Sequence, residues 1–149
     1  MKSLLSLAIL PLALIARTSA APNCRCMPSD ACWPSNNTWA SFNKTVDGTL
    51  IKTVPIGTPC HDPTYDEDAC AALQDAWSSP QTHIESSSSV MQQFFANQSC
   101  DPFLAQSRPC LIGNYPSYAV KVSNARQVAA AVRFANDNNI RLVIRNTAH

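Results

Sequence analysis

The stretch SYAVKVSNARQVAAAVRFANDNNIRLVI, residues 117–144, decides the fold because its apolar period changes twice. Residues 118–122 alternate like a β-strand, and Ser123 can cap an amphipathic helix over residues 124–138. Residues 140–144 are apolar and β-branched, which predicts a second strand. A strand, a helix and a strand with short joints predict a right-handed βαβ unit with parallel strands.

This βαβ unit cannot stand alone as a domain. Parallel strands need cover on both faces, and two strands with one helix bury too little apolar surface. We therefore expect an α/β chain, α+β overall, in which residues 118–149 begin an incomplete domain. Residues 141–149 lead from a buried strand into a loop of the kind that builds ligand sites in open α/β sheets, so the chain is expected to be the front of a larger protein.

The preceding region, residues 21–117, is rich in Cys and Pro and predicts a disulfide-held arm with short helices. Ser35 can cap a first helix, and residues 49–54 read as an extended segment. Thr64-Tyr-Asp-Glu67 reads as the capping box of a second helix. Residues 78–117 are loop-like, with a helical turn near residues 91–95.

The N-terminus, residues 1–20, reads as a secretory signal peptide. Lys2 supplies a positive n-region, residues 4–16 are apolar, and Thr18-Ser-Ala20 is a small-residue cleavage site. A membrane anchor is the alternative, but the apolar run is too short and Pro11 interrupts it. We expect a secreted, extracellular protein.

The charge balance excludes two classes of partner. Cleavage after Ala20 would remove Lys2 and Arg17 from the 11 basic residues, leaving nine against 10 acidic ones and a net charge near −1. Such a chain has no electrostatic basis for binding nucleic acid or a membrane surface.

All seven cysteines lie after the signal, at positions 24, 26, 32, 60, 70, 100 and 110. Secretion favours disulfides, and Cys24-x-Cys26 with Cys32 lacks the paired spacing of a zinc site, so no metal is expected. Seven is odd, so one thiol stays free or pairs with a cysteine outside this chain. Sequons at Asn36, Asn43 and Asn97 predict a glycoprotein.

Several catalytic classes are excluded by their motifs. With three glycines the chain has neither a Gly-x-Gly-x-x-Gly nor a Walker loop, and it has no Gly-x-Ser-x-Gly. His61 beside Asp62, and His83 beside Ser86–Ser89, could be drawn as triad fragments. Adjacency in sequence is not triad geometry, and loop histidines are usually solvated, so we assign no catalytic residue.

The remaining candidate is the terminal run Arg145-Asn-Thr-Ala-His149. Backbone N–H groups and short polar side chains at the end of a parallel strand can receive a phosphate or a flavin edge, and an imidazole can be a nucleophile or covalent anchor. The alternative is an exposed terminus without a role.

Six motifs together resemble the secreted FAD-linked oxidases of the berberine-bridge-enzyme-like group, which carry a PCMH-type FAD-binding domain. The fungal-type members are most similar, and the resemblance covers the chain after the signal. The motifs lie at residues 24–35 (Cys-Arg-Cys and Cys-Trp-Pro-Ser), 54–65, 85–91, 94–103, 108–115 (Arg-Pro-Cys and Gly-Asn-Tyr) and 140–147.

The resemblance implies FAD as the cofactor and residues 118–149 as the start of the FAD domain. In the family, the loop after the second strand contacts the flavin and its pyrophosphate, and its histidine is typically the covalent link. Asn146, Thr147, Ala148 and His149 fall on that loop, which implies covalent attachment through His149 in a full-length form.

Two departures from the family pattern stand at this loop. Ala148 replaces a glycine, and a Cβ is unfavourable if that position needs positive φ or close approach to the cofactor. The chain then stops at His149, without the rest of the FAD domain, the substrate domain or the catalytic base. We expect a truncated product, inactive alone, and a splice or frame error would explain the ending.

The resemblance implies FAD-dependent oxidation of a small alcohol, sugar or secondary-metabolite substrate, with oxygen reoxidising the flavin. The alternative is a small secreted non-catalytic cysteine-rich protein, stabilised by three disulfides worth about 2–4 kcal/mol each. A third possibility is an unstable fragment that is degraded after synthesis.

Overall fold

The computed structural model describes residues 24–89 and 93–146, so the predicted signal peptide lies outside the described residues. No helix within these two ranges is long and apolar enough to cross a bilayer. The elements, in chain order, are α1 (Asn36–Thr45), β1 (Leu50–Lys52), the 3₁₀ helix α2 (Thr58–Cys60), α3 (Glu67–Ala76), α4 (Pro80–Glu85), α5 (Gln93–Ala96), β2 (Tyr118–Val120) and α6 (Ala125–Asp137).

The hydrophobic core joins the first long helix to the last. Trp39, Phe42 and Val46 are buried together with Ala130 of α6. The ring of Phe42 stacks on that of Phe134 at 4.0 Å between centroids. Since these two rings come from opposite ends of the described chain, the core is a long-range structure built mainly on aromatic contacts.

A two-stranded sheet covers one side of this core. β1 and β2 pair antiparallel, with Leu50 opposite Val120 and Lys52 opposite Tyr118. The Tyr118 ring stacks on Trp39 at 4.0 Å, so the sheet is fixed to α1 by its side chains as well as by the chain. The predicted extended segment at residues 49–54 is confirmed by β1.

The first helix forms as predicted, whereas the caps of two others differ. Ser35 caps α1, accepting from the Thr38 amide at 3.2 Å. The predicted capping box at residues 64–67 is wrong, because Asp66 caps α3 and the Thr64 hydroxyl instead donates to the Thr58 carbonyl at 2.9 Å.

Asn124 rather than Ser123 caps α6, and its Oδ1 accepts from the Gln127 amide at 3.0 Å. The Ser123 amide donates to Gln127 Oε1 at 2.8 Å. Ser123 therefore lies one residue before the N-cap and hydrogen-bonds to the first turn of α6 from there.

Only the first strand and the helix of the predicted βαβ unit are present as regular elements. Within the described residues, the segment 140–144 has a single parallel bridge, between Ile140 and Cys26. Leu142, Val143 and Ile144 are 45%, 74% and 76% exposed. The prediction of a strand there fails because a strand needs neighbours to hydrogen-bond, and this segment has one bridging residue.

The region predicted as loop, residues 78–117, contains two short helices and one of the three disulfides, Cys100–Cys110. Pro80 starts α4 at its first turn, where the missing N–H is no loss, and α5 agrees with the predicted turn near residues 91–95, of which 90–92 lie outside the description. The disulfides join Cys26 to Cys32, Cys60 to Cys70 and Cys100 to Cys110. Cys24 is free and exposed, which confirms the odd thiol.

Candidate functional site

The predicted cofactor loop begins at the last described residue. Asn146 is exposed, while Thr147, Ala148 and His149 lie outside the described residues. Their assignment to cofactor binding therefore stays a prediction. What the structure does define is how the chain is held as it approaches Asn146.

The approach begins at the end of α6. Asn139, just beyond the C-cap Asn138, has φ 52°, the left-handed conformation that Asn tolerates. Its Oδ1 accepts a hydrogen bond from Arg25 Nη1 at 3.1 Å, and its Nδ2 donates to the Cys24 carbonyl at 2.7 Å. The Cys26 amide donates to the Asn139 carbonyl at 2.9 Å. The N-terminal arm therefore fixes the point where the chain leaves α6.

The other end of the segment is held by one side chain. The guanidinium of Arg145 donates to three main-chain carbonyls that follow or end α4: Nη1 to Ser89 at 3.2 Å, and Nη2 to Ile84 at 3.2 Å and to Ser86. We call this set of bonds the Arg145 clamp. The planar fork of arginine suits several acceptors at once, which a lysine ammonium cannot match.

The loop that the clamp grips is itself ordered by serine and histidine side chains. Ser86 Oγ accepts from the amides of Ser88 and Ser89 at 3.3 and 3.0 Å. Ser89 Oγ lies 2.8 Å from His83 Nδ1, and His83 Nε2 lies 2.7 Å from the Trp77 carbonyl. Because a carbonyl only accepts, His83 Nε2 carries a proton and donates it to the Trp77 carbonyl.

This Ser–His pair has the contact of a nucleophile and its base, but it lacks access. His83 and Ser89 are each 3% exposed, and neither lines the two main clefts. A nucleophile must reach its substrate, so the pair is a structural network. The expectation that the loop histidines are solvated is wrong for both His61 and His83.

His61 forms no triad with its neighbour. It is fully buried, with Nε2 3.0 Å from the Asp101 carbonyl, and its Nδ1 has no hydrogen-bond partner among the described residues. The Asp62 carboxylate instead accepts from Gln106 Nε2 at 2.8 Å. His61 therefore supports the loop that carries the Cys100–Cys110 disulfide.

Tyr115 is the one described group with a clear shift of its acid–base equilibrium. Burial raises the pKa of its hydroxyl above the usual 10.0, a hydrogen bond with Ser89 opposes this, and the charge of Asp101 adds to it. The neutral phenol is thus the form that fits the folded chain.

Two surface clefts flank these elements. One, of about 350 Å³, lies over the Cys60–Cys70 disulfide beside Gln74 and Pro102. The other, of about 330 Å³, lies between Arg25, α6 and residues 140–142. Asn146 lines neither of these two clefts.

Within residues 24–89 and 93–146, one cluster has metal-ligand composition. Ligand atoms of Cys26, Asp30 and Cys32 lie within 4.8 Å of one another. The two cysteines are bonded to each other, so they offer no thiolate. Asp30 Oδ2 accepts from the Met27 amide at 2.8 Å, which gives the carboxylate a structural role in the same turn.

Comparison with known proteins gives relatives over most of the chain. No protein-family model matches it. It is 51% identical over 135 residues to the FAD-linked oxidoreductase ZEB1 of Gibberella zeae, covering 91% of this chain and 24% of that protein. It is 45% identical to the VAO-type flavoprotein oxidase VAO615 of Thermothelomyces thermophilus, covering 97% and 26%. The chain thus spans about a quarter of the length of these relatives.

Two solved structures share the fold. The VAO-type flavoprotein MtVAO615 from Myceliophthora thermophila C1 superimposes with a TM-score of 0.81 at 47% identity, over 85% of this chain and 24% of that one. MtVAO713 from the same source gives 0.78 at 36% identity, over 87% and 23%. The match confirms the predicted class, an incomplete α/β fold with a disulfide-held arm.

Proposed function

Because this chain is homologous to FAD-linked oxidoreductases and VAO-type flavoprotein oxidases, we propose that it supplies one edge of the FAD site of such an oxidoreductase. The observation that carries the proposal is the TM-score of 0.81 at 47% identity, which rests on sequence and backbone together. The alternative of a non-catalytic cysteine-rich protein receives no support from these relatives.

The described end of the chain fits the edge of a cofactor site. The Asn146 side chain is exposed, and none of its hydrogen bonds is formed with the described residues, whereas the Arg145 guanidinium is already engaged with carbonyls. Asn146 is therefore the described group that would hold FAD, together with Thr147, Ala148 and His149. His149 is proposed as the covalent link.

When bound, FAD supplies the oxidising chemistry by accepting two electrons from the substrate and passing them to oxygen. Asn146 and residues 147–149 would hold the cofactor, and the rest of this chain would support that loop. The substrate is proposed to be a small alcohol, sugar or secondary metabolite, on the basis of the resemblance described above.

Secretion and glycosylation belong to the same proposal. The signal-peptide pattern and three disulfides support an oxidising compartment. Asn36 and Asn97 are exposed, whereas Asn43 is half-buried and its Oδ1 accepts from the Leu50 amide at 3.0 Å. Glycans are thus better accommodated at the first two positions.

The proposal is tested by purifying the native secreted product and recording its flavin absorbance before and after denaturation. Absorbance at stoichiometry with the polypeptide supports FAD binding, and absorbance that stays with the denatured chain supports the covalent link. A colourless product that takes up no added FAD would contradict the proposed function.

A further inference from the structure

The segment that leads to the proposed cofactor loop is held at its two ends and exposed between them. Ile140 donates its amide to the Ala135 carbonyl at 2.8 Å and bridges to Cys26. From there to Arg145, the side chains of Leu142, Val143 and Ile144 are exposed. The next described attachment is the Arg145 clamp, so this residue determines where the chain lies when it reaches Asn146.

The surface on the other side of the clamp is fixed independently of Arg145. Ser86 and His83 hold the loop through the Ser88 and Ser89 amides and the Ser89 hydroxyl, and His83 is tied to Trp77. Trp77 packs edge-on against His83 at 4.9 Å between ring centroids. The loop that presents the three carbonyls to the guanidinium is thus held by hydrogen bonds that do not involve Arg145.

From this geometry we propose that Arg145 is a positioning residue for FAD. Its Nη1 and Nη2 groups donate to the carbonyls of Ile84, Ser86 and Ser89, so its role is to hold the chain that carries the cofactor loop. By anchoring Arg145 to the loop that carries Ser89, these bonds fix the backbone position from which Asn146 follows. The inference rests on the proposed function for its cofactor, while the clamp itself can be tested without flavin.

The flavin-independent test is backbone amide hydrogen exchange in the native product, comparing wild type with Arg145→Gln and Arg145→Lys. Losing the charged hydrogen bonds is expected to speed exchange at residues 84–89 and 141–146 by about tenfold or more. Arg141→Lys is the matched control, since the Arg141 side chain makes no hydrogen bond with the described residues. Unchanged exchange in Arg145→Gln would overturn the clamp.

The cofactor test uses the same variants and the thermal midpoint. Arg145→Gln is expected to lose flavin occupancy, or to shift the visible flavin spectrum, with little change in midpoint, whereas Arg141→Lys keeps both. A variant Arg145→Ala is expected to recover occupancy when methylguanidinium is added and not with methylammonium. Full occupancy and an unchanged spectrum in Arg145→Gln would overturn the positioning role.

The two failures are distinguishable. A wild type that binds no FAD contradicts the proposed function and, with it, the positioning role, even if exchange confirms the clamp. A wild type that binds FAD, with all variants alike in exchange and spectrum, contradicts the positioning role alone.

Discussion

At the scale of single residues, Gly57 shows where the fold has no room for a side chain. Its φ of −72° is ordinary, so conformation does not demand glycine there. A Cβ on Gly57 would lie 1.9 Å from the Cys100 carbonyl oxygen. The close approach brings the α2 turn against the loop closed by Cys100 and Cys110, and it explains a glycine that the sequence pattern left unassigned.

Gly57→Ala is expected to lower the free energy of unfolding by about 1–3 kcal/mol, because backbone must move to admit the methyl group. Urea unfolding measures this. Gly48→Ala is the contrasting control: Gly48 has φ +79° with nothing within 4 Å of its Cβ position, so its cost is conformational, about 1 kcal/mol. Equal and negligible effects at both positions would contradict the steric account of Gly57.

Tyr115 gives the protein a base-sensitive group. Its folded pKa is raised by burial above the unfolded 10.0, so its contribution to stability is fully present below about pH 10 and is lost as pH rises through the folded value. Urea midpoints measured from about pH 8 to 11 are expected to fall less steeply for Tyr115→Phe than for wild type. If the urea midpoints of wild type and Tyr115→Phe fall equally steeply with pH, the raised pKa of Tyr115 is contradicted.

Residue-level patterns predicted part of this chemistry. The left-handed Asn139 and the cap at Ser35 follow from local preferences, which need only neighbouring residues. The buried states of His61 and His83 depend on Asp101 and Trp77, which no local rule identifies. The same holds for the Arg145 clamp, whose acceptors lie about 60 residues earlier in the chain.

At the scale of elements, α6 is the longest of the described helices, and its start can be tested. Asn124→Ala removes the Oδ1 acceptor of the Gln127 amide and is expected to cost about 1 kcal/mol of stability. The control is Asn136→Ala in the same helix, because the Asn136 side chain is exposed and, among the described residues, bonds only to the Asp137 carboxylate at 3.4 Å. A thermal midpoint that falls equally in both variants would contradict the cap assignment.

The strand predictions show what sequence period cannot decide. Residues 118–122 and 140–144 both have strand character, yet β2 forms because β1 pairs with it from 66–70 residues earlier in the chain. The later segment has an equally apolar pattern and one bridging residue. Strand propensity describes how well residues fit a sheet, but a strand forms only where a neighbouring strand is present to pair with it.

At the scale of the whole molecule, the described chain divides its stabilisation between two sources. The aromatic core joins α1 to α6, while the region between them relies on the Cys60–Cys70 and Cys100–Cys110 disulfides. The α/β class and the family resemblance were predicted from sequence because both depend on residue patterns and short motifs that are read directly along the chain. The antiparallel pairing and the disulfide partners were not, since both depend on three-dimensional proximity.

One accessible thiol is expected in the native protein. Titration with a thiol reagent under non-reducing conditions should modify one cysteine, and peptide mapping should identify it as Cys24. Cys24→Ser should abolish the reaction. It should change the free energy of unfolding by no more than about 0.5 kcal/mol, because an exposed side chain is replaced. Labelling of any other cysteine in the native state would contradict the disulfide pairing.

The disulfides also bear on how the chain matures. Each disulfide joins two cysteines with no other cysteine between them in the sequence. The separations are 6, 10 and 10 residues, and no bridge crosses another. During synthesis each pair can therefore close soon after its own segment emerges, before the next cysteine of the series is available. Cys24 is the exception, because it precedes Cys26 and can compete for the same partner by thiol–disulfide exchange. The two later pairs thus need little reshuffling to reach their final partners, and mispaired intermediates should concentrate in the first bridge.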